Sequence, residues 1–508
     1  SGQFGEFFVQ NKDATFSKST IPFDVSKEDL GSLFFDANND GYLDLYIVSG
    51  GVLLTEDFIY QDRLYLNDGS GKFFKSDALP QIKISGSTVN AVDFDHDGDL
   101  DLFVGGRVDP GKYPMPVKSY LLENLANEDA ENLKFRDISN QISDWDKLTM
   151  VTSALWTDYD SDGWSDLIVV GEFMQVEFFH NENGKLVRAT NTTGLKKSEG
   201  WWNSINGGDF DGDGDIDYIV GNQGLNNKFK ASENEPLSIY ANDYDKDGRI
   251  DPIMCYYNDG ENYIAHSRDE LIGQISAMRS RFKTYKSYAE TPFAKSFLPE
   301  ELENAYVVKS HNFASSYVEN LGNGSFKIID LPIAAQMAPI EGIVIEDFDQ
   351  DGNEDVILTG NSYSADVATG RYDALKGLVL KGKGNGSFET LSLKESGFIN
   401  DFDGSGLASI RNNMGELQII AANNNGPLKI FTINSSEESI EIINAEKETL
   451  FAEIFFENGK KVRKEFYYGS GYLSNSSRSI QAYNKIKEIK FTDVSGNTKT
   501  VFSKSEIK

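Results

Sequence analysis

Apolar and polar residues alternate in short runs along most of the chain, and the runs recur in a fixed order. In Thr88-Val-Asn-Ala-Val-Asp93 and Leu100-Asp-Leu-Phe-Val104 the apolar positions step by two. A third kind of run, Arg63-Leu-Tyr-Leu-Asn-Asp-Gly69, ends in an Asn/Gly turn, and a short fourth, Lys72-Phe-Phe74, follows it. Period-two alternation bounded by turn residues predicts β-strands. Extra apolar residues at the in-between positions fit strands buried on both faces, as between packed sheets. The chain therefore reads as all-β, built from repeated four-stranded units.

Between the first and second run of a unit lies the nine-residue pattern Asp-x-[Asp/Asn]-x-Asp-Gly-x-x-Asp. Six full copies begin at 36, 93, 158, 209, 243 and 347, and a worn seventh runs from Asp401 to Ser409. Carboxylates at positions 1, 3 and 5 of a tight loop converge on one centre, and Gly at position 6 permits the turn. Position 7 offers its backbone carbonyl, and the Asp at position 9 closes the shell. The predicted ligands are Asp36, Asn38, Asp40, Tyr42 and Asp44; Asp93, Asp95, Asp97, Asp99 and Asp101; Asp158, Asp160, Asp162, Trp164 and Asp166. The later copies add Asp209, Asp211, Asp213, Asp215 and Asp217; Asp243, Asp245, Asp247, Arg249 and Asp251; Asp347, Asp349, Asp351, Asn353 and Asp355. An all-oxygen set selects calcium over zinc or copper, and magnesium wants fewer protein ligands. About six Ca2+ ions are expected. The worn copy, with Ser405 and Ser409 in place of carboxylates, reads as a turn without metal.

Typical steps of 51 to 65 residues between loops suit one four-stranded propeller blade. Seven loops predict a β-propeller of seven blades over residues 1–435. Residues 5–16 look like third and fourth strands without a first half. Either they complete the last blade and close the ring, the favoured reading, or they remain from an upstream blade. The longer step from 243 to 347 hides an insertion at about 266–305. There Leu271, Ile275, Met278, Phe282, Tyr285 and Tyr288 recur at helical spacing, and Leu298-Pro-Glu-Glu301 reads as a second helix start. It is either a patch covering one blade or a lid on one face. From 436 to 508 the Asp loops stop and strands around Glu441, Leu450–Phe456, Val462–Tyr467 and Ile489–Phe491 predict a small separate β domain.

The formal net charge of −32 changes less than it first suggests, because the loops hold more than a quarter of the acidic side chains. What remains argues against nucleic acid, which needs clustered Lys and Arg. The one cysteine, Cys255, excludes an internal disulfide and a cysteine metal site. Loops of this type fill best where calcium is millimolar, outside the cytoplasm. No signal peptide or apolar span is visible. The chain starts at Ser1 without Met, so a mature form or fragment is expected, with any signal or lipid anchor lost.

The Asp-loop units resemble the FG-GAP/VCBS repeats of integrin α-subunit propellers and many bacterial surface proteins. Gly469-Ser-Gly-Tyr-Leu-Ser474, after Arg463-Lys-Glu-Phe-Tyr-Tyr468, resembles the ASPIC/UnbV domain that often ends such bacterial proteins. Tyr60–Asn67, Gly105–Pro114, Gly200–Ser204, Arg268–Leu271 and Gly370–Ala374 are similar to stretches of long VCBS-repeat proteins of Bacteroidetes. The resemblance implies a propeller at the bacterial surface, in full length an outer-membrane lipoprotein. It implies little about the ligand, since shared fold is not shared function.

Arg63, Arg107, Arg268 and Arg371 sit near or in the connections that follow outgoing strands, where a rigid scaffold collects binding residues. Trp201 and Trp202 are adjacent, so in a strand they face opposite ways, and Trp201 joins the four arginines as a candidate ligand contact. No His-x-x-x-His pair, Gly-x-Ser-x-Gly elbow or phosphate-cradling loop occurs. Two functions fit. One is a calcium-rigidified, non-enzymatic surface module that recognises a glycan or a cell-envelope protein, as part of an outer-membrane complex. The other is a propeller-type carbohydrate-active enzyme, a lyase or sugar oxidoreductase. The missing singular acid/base constellation favours the first.

Overall fold

The computed structural model describes residues 5–19, 27–52, 57–127, 133–365, 369–434 and 439–506. Six antiparallel sheets follow one another along it. Sheet I comprises Glu28–Phe35, Asp44–Gly50, Arg63–Asn67 and Phe73–Ser76, and sheet II comprises Gly86–Val92, Asp101–Gly106, Tyr120–Asn124 and Phe135–Asp137. Sheet III runs Met150–Thr157, Asp166–Met174, Glu177–Asn181 and Leu186–Arg188, with Gly200–Trp201 added to its second strand. Sheet IV is Ser204–Gly208, Asp217–Gly221, Ser316–Asn320 and Phe326–Asp330. Sheet V is Ile340–Glu346, Asp355–Gly360, Leu378–Gly382 and Phe388–Leu391, and sheet VI has three strands, Gly404–Arg411, Leu417–Asn423 and Lys429–Thr432.

The first strands of sheets I to VI pack side by side in chain order. Their Ser, Thr and Asn side chains are the reason they sit so close, since each small polar group reaches the neighbour's backbone. Ser87 Oγ donates to the Val151 carbonyl at 2.8 Å, Thr152 Oγ1 to that of Trp202 at 3.0 Å, and Ser204 Oγ to that of Ile340 at 3.2 Å. Further out, each pair of successive sheets encloses its own apolar core. Leu33, Tyr46 and Val48 of sheet I meet Val89, Leu102 and Val104 of sheet II, and the same layering repeats through sheet VI. The in-between apolar positions of the sequence are these two-sided strands.

Three expectations change. Six sheets stand in the series, not seven, because the fifth Asp loop belongs elsewhere. It joins Leu237–Asn242 to Asp251–Asn258 in a four-stranded sheet with Glu261–Ile264 and Tyr306–Ser310, inserted between the second and third strands of sheet IV. The helical stretch lies inside that insertion as short helices, Arg268–Gln274, Met278–Arg281, Tyr285–Ala289 and Pro299–Leu302. Leu271, Ile275, Met278 and Phe282 face its core as predicted, while Tyr285 is exposed. The worn seventh copy forms no loop between strands: from Gly404 on it is the first strand of sheet VI.

Residues 5–19 form a separate hairpin, Phe7–Gln10 with Phe16–Ser19, that pairs with no other strand among the described residues. Phe7 packs on Phe34 and Phe73 of sheet I, with ring centroids 6.1 and 5.6 Å apart. From the other side Asn413 Nδ2 of sheet VI donates to the Asn11 carbonyl at 2.9 Å. The hairpin thus bridges sheets VI and I without completing a fourth strand.

The expected domain boundary at 436 lies outside the described residues. Beyond it, Lys461–Glu465, Thr449–Phe456, Ile486–Asp493 and Thr498–Ser503 form one sheet, and Ser439–Asn444 pairs with Ser479–Tyr483. These strands share a core of their own. Between Glu465 and Ser479 the chain leaves this unit and runs among the six first strands. The Ala91 amide (sheet II) donates to the Tyr468 carbonyl at 3.0 Å and Ser153 Oγ (III) to that of Gly471 at 2.5 Å. The Gly471 amide donates to the Ile205 carbonyl (IV) at 2.9 Å, and the Ser477 amide to that of Ser409 (VI) at 2.8 Å. Asn475 Nδ2 reaches the Phe34 carbonyl (I) at 3.5 Å. A Cβ on Gly471 would come within 3.2 Å of the Ile343 carbonyl oxygen (V). One segment, Tyr468–Ser477, thus touches all six sheets. No helix among the described residues is long and apolar enough to cross a membrane.

Candidate metal loops and a pocket at opposite strand ends

In every full copy the position-9 Asp opens the second strand and pairs with the residue just before the loop, as in Phe35↔Asp44, Val92↔Asp101 and Glu346↔Asp355. Its side chain ties the loop to its sheet. Asp44 accepts from the Ala37 amide at 2.9 Å and from the third-strand Asn67 amide at 2.8 Å. Asp101 and Asn124, Asp166 and Asn181, and Asp217 and Asn320 repeat the second bond. In four copies position 1 accepts from positions 5 and 6, as when the Asp40 and Gly41 amides donate to Asp36 at 3.1 and 2.9 Å. Position 6 has positive φ throughout, for example +94° at Gly98, which is why glycine stands there.

These bonds point the remaining carboxylate oxygens at one another. In at least four of the loops, three carboxylate oxygens lie within 4.8 Å of one another: Asp93/Asp95/Asp101, Asp158/Asp160/Asp162, Asp209/Asp211/Asp213 and Asp243/Asp245/Asp251. Burial, then the neighbouring carboxylates, pushes Asp93 up to about 6. Burial likewise raises Asp44 and Asp209 to about 6 and Asp217 and Asp355 to about 8, against the pull of their amide donors. A hard cation relieves both costs, and an all-oxygen cluster on a glycine turn has the donor chemistry calcium takes. His180 adds a nitrogen at loop III, with Nδ1 3.0 Å from Asp166 and 3.3 Å from Asp160. Lys381 pairs with Asp349 and with Asp351 (3.1 Å) at the loop of sheet V.

The C-terminal unit docks on this loop side with basic groups. Arg463 pairs with Asp158 at 2.9 Å, and its amide donates to Asp209 at 3.0 Å. Lys447, Lys460 and Lys485 reach the Gly98, Gly352 and Gln350 carbonyls at 2.7, 2.6 and 2.8 Å. Tyr483 donates to Asp347 at 2.5 Å.

At the other ends of the same strands lies a cavity of about 410 Å³. Arg107 (after the second strand of sheet II), Glu172 (sheet III), Asn203 and Gln223 (sheet IV), and Glu341 (sheet V) line it. The insertion gives Phe229, Met254 and His266, and Tyr472 comes from the threaded segment. Arg107 Nη2 donates to Glu172 at 2.7 Å, and Tyr113 donates to the other Glu172 oxygen at 3.2 Å. A second cavity of about 420 Å³ continues toward sheet I, sharing Arg107, Glu172, Trp201 and Met254. Burial, with Asp403 adding and Arg107 opposing, pushes Glu341 up to about 8.

Of the five candidate ligand contacts, the structure brings Arg107 and Trp201 to this cavity. Trp202 is fully buried, so the adjacent tryptophans do face opposite ways. Arg63 is also buried, bound to Asp29 at 2.5 Å and to Ser49 at 3.2 Å, and does not line the cavity. Its place inside a strand paired on both sides is the reason. Arg268 is spent on the helices, donating to the Phe282 carbonyl at 2.9 Å and stacking on Tyr285. Arg371 stacks on Tyr363 at 4.0 Å and does not line the cavity either. Glu172, Asn203, Asn227, Glu341 and Tyr472 went unread. Only the paired glycines around Ser470 signalled a close backbone approach there.

This is an all-β protein with clustered Asp loops at one set of strand ends and a mixed polar and aromatic pocket at the other. The FG-GAP-like repeat model matches residues 52–104 and 158–220, so the chain carries FG-GAP-like repeats. Each match ends on the strand that leaves an Asp loop. No curated protein matches the chain in sequence. The V. cholerae biofilm matrix protein Bap1 aligns with 96% of this chain and 61% of that chain at 12% identity, with a TM-score of 0.23. The chain therefore spans about three fifths of that protein. Rhamnogalacturonan lyase YesW aligns with 98% of this chain and 74% of that one at 10% identity, with a TM-score of 0.24. At such scores neither likeness bears on fold or activity.

Proposed function

We propose that the six sheets close into a β-propeller, that its Asp loops bind about six calcium ions, and that its pocket face binds a glycan at the cell surface. The fifth ion belongs to the inserted sheet. The observation that carries the reading is the pocket itself, where Arg107 and Trp201 meet on the face away from the metal loops. A concave site with aromatic walls and a few placed polar groups is the usual form of a small-ligand site, and long connections on a rigid scaffold supply it. The loops repeat from sheet to sheet, which marks them as structural, so the protein acts by binding and not by turnover. The C-terminal unit, similar to ASPIC/UnbV domains, braces the loop side. The protein works outside the cytoplasm, where calcium keeps the loops filled.

A glycan array probed with the full chain in calcium tests this, with Arg107→Ala as the control. Binding that Arg107→Ala abolishes, at an unchanged melting midpoint, supports the reading. Binding indifferent to Arg107 and Trp201, or turnover of a polysaccharide lost in the same variant, overturns it.

A further inference from the structure

Three buried polar atoms that line or edge this cavity have no hydrogen-bond partner: Arg107 Nη1, Asn203 Nδ2 and Asn227 Oδ1. Two are donors and one is an acceptor. Buried polar groups are nearly always paired, so an unpaired set on one cavity calls for something that satisfies it. A hydroxyl donates one bond and accepts others, and neighbouring hydroxyls on a ring offer both at once.

The charges facing the cavity cancel. The Arg107 guanidinium is already engaged by Glu172 at 2.7 Å. His266 Nε2 accepts the Met254 amide at 3.1 Å, which fixes the imidazole in a neutral form. Lys228 lies at the exposed rim over the Phe229 ring, and Glu270, also exposed, caps its helix through Ser267. Glu341 keeps its proton through neutral pH. Deep in the cavity an incoming carboxylate would therefore find its one cation, Arg107, already taken by Glu172, and would meet the Glu172 carboxylate; Lys228 is left at the exposed rim.

Resting on the glycan reading above, we infer that the pocket takes a neutral, hydroxyl-rich sugar in preference to a uronic acid. The apolar side agrees. Trp201 is held between Phe173 and Phe313, with centroids 4.9 and 6.5 Å away, and Phe229 and Tyr372 extend the wall on which the C–H face of a sugar ring packs. Glu341, as an acid, and the Tyr472 hydroxyl add donors for ring oxygens. Arg107, held in place by Glu172, presents its second nitrogen.

Calorimetric titration of the full chain in calcium separates the outcomes, using neutral oligosaccharides (glucan, mannan and galactan fragments) and oligogalacturonate of equal length. The expected result is neutral-sugar affinity at least about tenfold above oligogalacturonate, a difference of about 1.4 kcal/mol. Asn203→Ala and Asn227→Ala should each weaken the neutral sugar about tenfold at an unchanged melting midpoint. Asn227 lies in a connection, so its variant remains informative if Asn203→Ala misfolds. Preference for oligogalacturonate, or neutral binding untouched by both variants, overturns this inference alone. Failure of both sugar classes to bind overturns the glycan reading, and this inference with it.

Discussion

Arg463 donates from Nη2 to the Asp158 carboxylate at 2.9 Å, with less than a tenth of either side chain exposed. The partners come from different units, since Arg463 lies on the C-terminal sheet and Asp158 opens the third Asp loop. The same guanidinium lies 3.5 Å from Glu465 and over the Phe451 ring at 4.0 Å. Glu465 in turn accepts from Thr157 at 2.8 Å and from the Asp158 amide at 3.1 Å. The C-terminal unit therefore helps set the charge of an Asp loop.

Removing one partner of a buried pair leaves the other unpaired in low dielectric. Arg463→Met should cost about 3–5 kcal/mol in denaturant unfolding. Pairing it with Asp158→Asn should return part of that loss. A double variant whose cost equals the sum of the two singles would show that the pair carries no coupling.

Calcium should set the melting midpoint. A ligand that binds only the folded state stabilises by mass action, and the clustered carboxylates repel when it is withdrawn. Chelator should lower the midpoint by many degrees and added calcium should restore it. An unchanged midpoint would remove the metal from the account. Asp95→Ala should destabilise more than Asp403→Ala, because Asp95 sits in a full loop whereas Asp403 precedes a strand and bonds the Tyr363 and Asn424 amides.

The repeated sheets, the loops and the half-buried Trp201 were legible because each is a local pattern. Val89 and Ala91 alternate in the sequence and are buried in the strand. Glycine at position 6 announces its positive φ. The fifth loop misled the count of sheets in the series, because its nine residues carry the full pattern wherever the strand pair sits, and only long-range pairing places that pair in an insertion. Tyr472 was illegible for a related reason. The segment that carries it, Tyr468–Ser477, has neighbours in six sheets up to several hundred residues away, and no short-range spacing encodes them. Arg63 misled because chemistry was read without its strand's neighbours.

The threaded segment should be intolerant of side chains at its glycines. Gly469 has φ of +92°, and a Cβ there would lie 2.8 Å from Asn90 Nδ2 and 2.9 Å from the Val89 carbonyl. Both the backbone conformation and the space exclude alanine. Gly469→Ala should cost about 2 kcal/mol or more, read as a lower denaturant midpoint. Gly459→Ala, at a turn with open space around the Cβ but a φ of +88°, isolates the backbone part and should cost less. Equal losses would mean that the segment yields to make room.

Glu341 should make both stability and ligand binding depend on pH. In the folded chain burial keeps its proton up to about 8, against an ordinary value of 4.5. Between those values the folded state holds a proton that the unfolded state has released. Stability therefore falls as pH rises through this window and is level above it. Asp403, Arg107 and Tyr472 are the charged or titratable groups acting on this carboxyl; Arg107 stays charged across the window, and burial pushes the Tyr472 hydroxyl up and out of it. Glu341→Gln removes the proton exchange. Its stability relative to the natural chain should thus rise between pH 5 and pH 8, by about 2 kcal/mol once partial solvent access is discounted. Neutral-sugar affinity of the natural chain should drop above pH 8, where the acid ionises and stops donating, while the glutamine variant stays level. Parallel pH profiles for the two proteins would show that Glu341 is ionised throughout and plays no such part.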